Sequence, residues 1–369
     1  MKISNARVYQ DGRFVPGGIE FGARITGFDG AGGIDAHGAY VVPGFIDVHT
    51  HGAVGADVSD GDAAALPGLS EYYARHGVTS FCATTMTLKE PALIRAAECV
   101  RGFVRPEKGA KCAGIHLEGP FISYSKRGAQ NPDNLHAPDR DMFDRINEAS
   151  GGVVRLITVA PEIDGALDFI RYASGVCTVS LGHSAASYDQ AMAGFDAGAR
   201  HATHLFNGME PFHHRKPGLV GAALAAGAEA ELICDGFHIH PAMINAVYKM
   251  FGEKLVIISD SLRCAGMPDG EYELGGLPIT MKDGLARLHD GTIAGSATNL
   301  LQELKNVVSY GIPLESAVYA VTAAPARSIG LSDSIGALDV GKCADILVLD
   351  EALELKAAFV DGRPVYGEL

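Results

Sequence analysis

Short apolar runs alternate with amphipathic helical stretches through most of this chain. That alternation narrows the possible folds more than any other feature. Runs of strand type occur at residues 41–48, 78–84, 112–117, 153–159, 176–181, 200–203, 231–234 and 255–259. Helical patterns at 63–76, 91–103, 164–173, 187–197 and 241–251 lie between most of them. Gly77, Gly198 and Gly252 each follow a helical stretch and lead into a strand, as left-handed helix caps do. Strand alternating with helix implies parallel strands joined by crossovers. Eight such strands over about 290 residues predict an α/β fold, a (β/α)8 TIM-like barrel with insertions. A doubly wound open sheet is the alternative.

The two ends read differently. Gln10-Asp11-Gly12 separates two short strand-type runs, and Asp361-Gly362-Arg363 separates two more near the C-terminus, the pattern of tight hairpins. These predict a small β-sandwich domain built from both termini, residues 1–43 and 335–369, around a barrel at 44–334. Residues 269–290, rich in glycine, are expected to make an excursion with a short hairpin, followed by helices at 297–309, 314–321 and 325–329.

Composition then excludes several functions. The net charge is −14, with no long Lys/Arg run, which argues against nucleic-acid or anionic-membrane partners. No window is apolar enough to span a bilayer, and the first residues lack the apolar core of a secretory signal. The seven cysteines are an odd number without a Cys-x-x-Cys pair. They read as reduced thiols of a cytoplasmic protein.

Polar residues gather where the strands end. The first run closes in His49-Thr50-His51, the third in His116-Leu117-Glu118, the fifth in Gly182-His183-Ser184 and the sixth in Thr203-His204. The seventh leads into Asp235-Gly236-Phe237-His238 and the eighth into Ser259-Asp260. Alternation along a strand puts His49 and His51 on the same side. Each residue alone could be a helix cap or a satisfied core group. Together they face the catalytic end of a barrel, where imidazole and carboxylate suit a divalent metal such as zinc or iron. A nearby aspartate could then move protons.

The motifs Pro43–Gly52, His116-Leu117-Glu118-Gly119-Pro120-Phe121, Gly182-His183-Ser184, Thr203–Met209, Asp235–His238 and Ser259-Asp260 resemble those of the N-acetylglucosamine-6-phosphate deacetylases of the amidohydrolase superfamily. Gly341–Asp350 is similar to the returning β segment of that superfamily. The resemblance implies that Glu118, His183 and His204 are the principal metal ligands. It implies that His49 and His51 hold a second ion in two-metal members, and that Asp260 is the general base and acid. Asn207 and Gly208 would bind the sugar phosphate, and His238 the sugar. Arg215 would reach the phosphate in the neighbouring site of a homodimer. Some relatives have a carbonyl-polarising histidine where this chain has Gln130, an uncharged donor expected to contact carbonyl or sugar more weakly.

The implied activity is metal-dependent hydrolysis of the acetamide of N-acetyl-D-glucosamine 6-phosphate, with one or two zinc or iron ions. Alternatives are the galactosamine epimer as substrate, another amide, or an inactive barrel used as a binding protein. Cyclic amidases that bridge two metals with a carboxylated lysine fit less well, because residues 153–162 contain no lysine.

Overall fold

The computed structural model describes residues 1–28 and 32–368. Residues 29–31 and 369, within the two terminal stretches expected to be β, lie outside the described residues. Eight parallel strands form one sheet in chain order: Phe45–Thr50, Val78–Thr85, Lys111–Glu118, Val154–Val159, Thr178–Leu181, His201–Ala202, Glu229–Ile233 and Leu255–Ile258. Just past the ends of the last and first strands the chain closes this sheet on itself. Asp260 N donates to His49 O at 2.9 Å and His51 N to Ser261 O at 2.9 Å. The result is the expected barrel, not an open sheet.

One run is divided differently from its sequence pattern. Residues 41–48 are not a single strand. Tyr40–Pro43 pairs with Lys2–Gln10 and Ile346–Leu349, outside the barrel. Phe45–Thr50 pairs with Val78–Thr85 inside it. The break is at Gly44, where a Cβ would lie 2.0 Å from Thr79 Oγ1. Glycine leaves room there for the Thr79 side chain to lie against the backbone. Beyond it, Ile46 and Val48 join an apolar cluster with Val256, Ile258, Ala324 and Ala326. Alternation then gives Asp47 and His49 to the polar side.

The terminal sheet runs Arg363–Gly367, Leu355–Val360, Ile346–Leu349, Tyr40–Pro43, Lys2–Gln10, Arg13–Phe21 and Ile25–Gly27, with Ile34–Asp35 beside Lys2–Gln10. Both Asp-Gly turns have the expected left-handed pair, with φ of 48° and 76° at Asp11-Gly12 and 49° and 71° at Asp361-Gly362. The interior of this sheet is Ile3, Val8, Ile19, Phe21, Val41, Ile346 and Phe359.

The excursion after the eighth strand is larger than a hairpin. Gly270–Leu274, Leu277–Lys282, Leu285–Leu288 and Ile293–Ser296 form a four-stranded antiparallel sheet. Its apolar face, with Leu274, Ile279, Met281 and Ala294, packs with Met86 and Leu262 near the barrel mouth. No helix among the described residues is long and apolar enough to cross a membrane. All seven cysteines are unpaired.

Candidate metal centre

At the barrel mouth four imidazole Nε2 atoms converge on Glu118, a buried residue at the end of the third strand. His204 Nε2 is 2.8 Å and His183 Nε2 3.0 Å from Glu118 Oε1, and these two nitrogens are 3.1 Å apart. On the other side His51 Nε2 is 3.3 Å from Glu118 Oε2 and 3.2 Å from Asp260 Oδ1. His49 Nε2 is 3.4 Å from Glu118 Oε1 and 3.5 Å from Asp260 Oδ1. The structure therefore brings these six residues of the sequence motifs into one cluster.

This arrangement fits a cation. His183 donates its Nδ1 proton to Lys126 O at 2.8 Å. When the ring is neutral its Nε2 therefore carries a lone pair, which faces a carboxylate oxygen 3.0 Å away. Two lone-pair faces at that distance repel unless a proton or a cation lies between them. His49 is similar: its Nδ1 donates to Glu231 Oε2 at 2.8 Å, and its buried Nε2 has no hydrogen-bond partner. Donors about 2.1 Å from a tetrahedral zinc would be roughly 3.4 Å apart, close to the spacings seen here.

The titration behaviour agrees. Burial opposes charge on His49, but Glu231, Asp260 and Glu118 outweigh it and raise its pKa well above the ordinary value. His51 is raised to about 9 against the same burial, by Asp260 and Glu118. Burial would raise the Glu118 carboxyl, yet His49 and His183 hold it well below the usual range. Asp260 is lowered likewise, by His49 and His51. The pocket thus calls for positive charge, which a divalent ion supplies without protons. The groups Glu118, His183, His204 and His49, His51, Glu118 could each hold an ion.

A third group, His49, His116 and Glu231, lies deeper. His116 is committed elsewhere, its Nδ1 donating to Val48 O at 3.2 Å and its Nε2 accepting from Thr158 Oγ1 at 2.9 Å. Burial lowers its pKa to about 3, so it is neutral.

The cavity over the cluster, about 150 Å³, is lined by His51, Glu118, His183, His204 and Asp260 together with Gln130, Asn207, Gly208 and His238. Met86, Leu262 and Leu274 add an apolar wall, and Ile293 of the four-stranded sheet, with Thr292 just before it, also lines it. Gln130 is engaged at both ends of its amide. Nε2 donates to Glu118 Oε2 at 2.5 Å and Oε1 accepts from Thr87 N at 2.7 Å. Gly208 has φ 59°, and a Cβ there would lie 2.9 Å from His183 Nδ1. His238 donates from Nδ1 to Asp235 Oδ2 at 2.7 Å, which orients the ring. Asp235 and Glu231 carry no site role in the sequence reading above. Both belong to an otherwise apolar run and its exit, and only the fold reveals their histidine partners.

Arg215 does not line this cavity. It is exposed on a tight loop bridged between His213 and Lys216, and it borders a separate cavity of about 840 Å³ with Tyr188 and Glu210.

Residues 40–365 match the family described as Amidohydrolase family. The chain is 38% identical over 333 residues to an N-acetylglucosamine-6-phosphate deacetylase of Vibrio furnissii, covering 88% of this chain and 83% of that one. It is 37% identical over 329 residues to an N-acetylgalactosamine-6-phosphate deacetylase of Escherichia coli O157:H7, covering 87% and 86%. The N-acetyl-D-glucosamine-6-phosphate deacetylase of Mycobacterium smegmatis, solved as a mutant in complex with N-acetyl-D-glucosamine-6-phosphate, superposes with a TM-score of 0.93 at 33% identity over 99% of each chain. Barrel, strand-end cluster and these likenesses agree: the chain belongs to the amidohydrolase family, among the N-acetylglucosamine-6-phosphate deacetylases.

Proposed function

We propose that this protein hydrolyses the acetamide of N-acetyl-D-glucosamine 6-phosphate, giving D-glucosamine 6-phosphate and acetate. The observation that carries this reading is the meeting of Glu118, His183, His204, His49, His51 and Asp260 in one buried cluster at the barrel mouth. Zinc or iron is the metal of the reading. Glu118, His183 and His204 would hold the principal ion, and His49 and His51, with Glu118, a second. A bound ion of this kind polarises the amide carbonyl and makes water more acidic.

The chain's own groups account for the rest. Asp260 is unprotonated at neutral pH because neighbouring imidazoles stabilise its charge. Its Oδ1 takes a proton from the attacking water and delivers it to the amide nitrogen as the C–N bond breaks. Water supplies the hydroxyl of the acetate, and the amine leaves with the proton. Gln130 holds the second oxygen of Glu118 in place. His238, steadied by Asp235, presents Nε2 to the sugar. Asn207 and Gly208 face the phosphate end.

In this reading the protein is a cytoplasmic homodimer, and Arg215 serves the neighbouring subunit's phosphate. Support comes from its place outside its own cavity and from the forked geometry by which guanidinium binds phosphate. Arg215→Ala should raise KM for the phosphorylated sugar about 10- to 100-fold, the loss of a charged hydrogen bond. An unchanged KM would remove Arg215 from the phosphate site.

The direct test is acetate release from N-acetylglucosamine 6-phosphate, the unphosphorylated sugar and the galactosamine epimer, by protein of known metal content. Turnover of the first is expected to vanish on chelation and return with zinc or iron. The relative from Escherichia coli O157:H7 makes the epimer the second candidate. Turnover of the epimer alone would change the substrate and keep the chemistry. Inertness of fully metallated protein toward all three would overturn the reading.

A further inference from the structure

Glu231 lies within the seventh strand and is fully buried. One of its oxygens has two tasks. Oε2 accepts from His49 Nδ1 at 2.8 Å and from the backbone N–H of His204 at 3.1 Å. His49 comes from the first strand and His204 follows the sixth, so one carboxylate joins the two sides of the cluster.

Both contacts matter to donor geometry. The first holds the His49 proton on Nδ1 and turns Nε2 toward Glu118 and Asp260. The second grips a strained segment. His204 has φ 27°, a left-handed value that costs free energy for any residue with a Cβ. A buried acceptor on its N–H opposes relaxation of that backbone and so fixes where the His204 ring points. Glu231 Oε1 has no hydrogen-bond partner. Its nearest imidazole nitrogen in an ion pair is His201 Nδ1, 3.9 Å away. The negative charge of Glu231 is therefore left for the cluster above it to balance.

From this geometry we infer that Glu231 is a positioning residue for the metal centre, fixing the His49 ring and the His204 backbone so that both offer Nε2 to a divalent cation. The inference rests on the metal-hydrolase reading above. A carboxylate behind a ligating imidazole also makes that imidazole a stronger donor. Glu231 touches neither substrate nor reacting atoms in this role.

The test uses the full-length protein stripped of metal and titrated with zinc and with cobalt(II) against a chromophoric chelator. Wild type, Glu231→Gln and Glu231→Ala are compared for stoichiometry, affinity and the cobalt absorption spectrum. Glutamine keeps an acceptor for both N–H groups but loses the charge. It is expected to weaken binding on the His49 side about 10- to 100-fold and shift the cobalt spectrum. Its metal-free melting temperature should stay near that of wild type, which separates positioning from general stability. Alanine removes both bonds and should weaken binding further. If the alanine variant does not fold, the glutamine variant decides. Affinity within twofold of wild type and an unaltered cobalt spectrum in Glu231→Gln would overturn the inference. Failure of the wild type to bind either ion would overturn the metal-hydrolase reading, and this inference with it.

Discussion

Glu118 and Glu303 are both buried glutamates in the same barrel, and their surroundings shift their carboxyls in opposite directions. Glu118 sits at the mouth among imidazoles, which hold its carboxyl well below the usual range despite burial. Glu303, on the helix Leu300–Ser309, meets no imidazole or ammonium among the groups that shift it. Burial pushes its pKa well above the ordinary value, and Asp235 and Asp47 push the same way. Its Oε2 accepts from Cys234 N at 2.5 Å, so it holds the exit of the seventh strand. Burial alone therefore does not mark a reactive carboxylate. The partners decide, and at the mouth they are imidazoles whose positive charge a cation can replace.

The sharpest way to break this contrast is to remove charge at the mouth. Asp260→Asn should lower turnover by at least about 1000-fold while the principal ion stays bound, the effect of losing a general base and acid. Steady-state rates with metal analysis on the same preparation check this, and activity within tenfold of wild type would assign proton transfer to another group. Glu118→Gln should weaken metal binding by at least about 100-fold, beyond what loss of an outer partner costs. Equilibrium dialysis against zinc measures it, and unchanged affinity would mean that Glu118 is not a ligand.

At the other glutamate the effect is small and of another kind. Glu303→Gln should leave turnover within about twofold and change only the pH dependence of stability. The folded carboxyl has a raised pKa. Its contribution to stability is complete below the unfolded pKa near 4.3 and declines as pH rises through the folded value, by up to about 1.4 kcal/mol per pH unit. Urea melts of wild type and variant between pH 5 and 8 should show a slope in the first that the second lacks. Parallel slopes would mean that Glu303 is charged in the fold and that the contrast is wrong.

Much of the barrel was readable from the sequence because its strands are apolar runs that end in polar side chains. His49, Glu118, His183, His204 and Asp260 each follow such a run, so position and chemistry could be read together. Glu231 could not be found in this way. It lies in Glu229–Ile233, where an acid at alternate positions looks like a strand's solvent-side residue until His49 is placed above it. The helix Gly218–Ala226 escaped because Gly-Leu-Val-Gly-Ala-Ala-Leu-Ala-Ala has no polar face to give it a helical period. The helix Arg140–Ala149 is missing from the bounded helical patterns above, although Asp139 caps it and Met142, Phe143 and Ile146 share its buried side. The four-stranded sheet at 270–296 was underestimated because its glycine turns obscure the short strands between them.

The seam that closes the barrel also sets an order of events. His49 and Asp260 meet across it through the bond from Asp260 N to His49 O, although more than half of the chain lies between them. During synthesis the histidines of the first strand emerge long before their counterparts, and for that interval they are unpaired imidazoles on an open edge. A contact spanning so much sequence forms late, because loop closure precedes any gain from it. The complete cluster, Asp260 included, therefore does not exist on a growing chain until the eighth strand has left the ribosome. A truncated product ending before Asp260 would carry His49, His51, Glu118, His183 and His204 without the carboxylate that faces them.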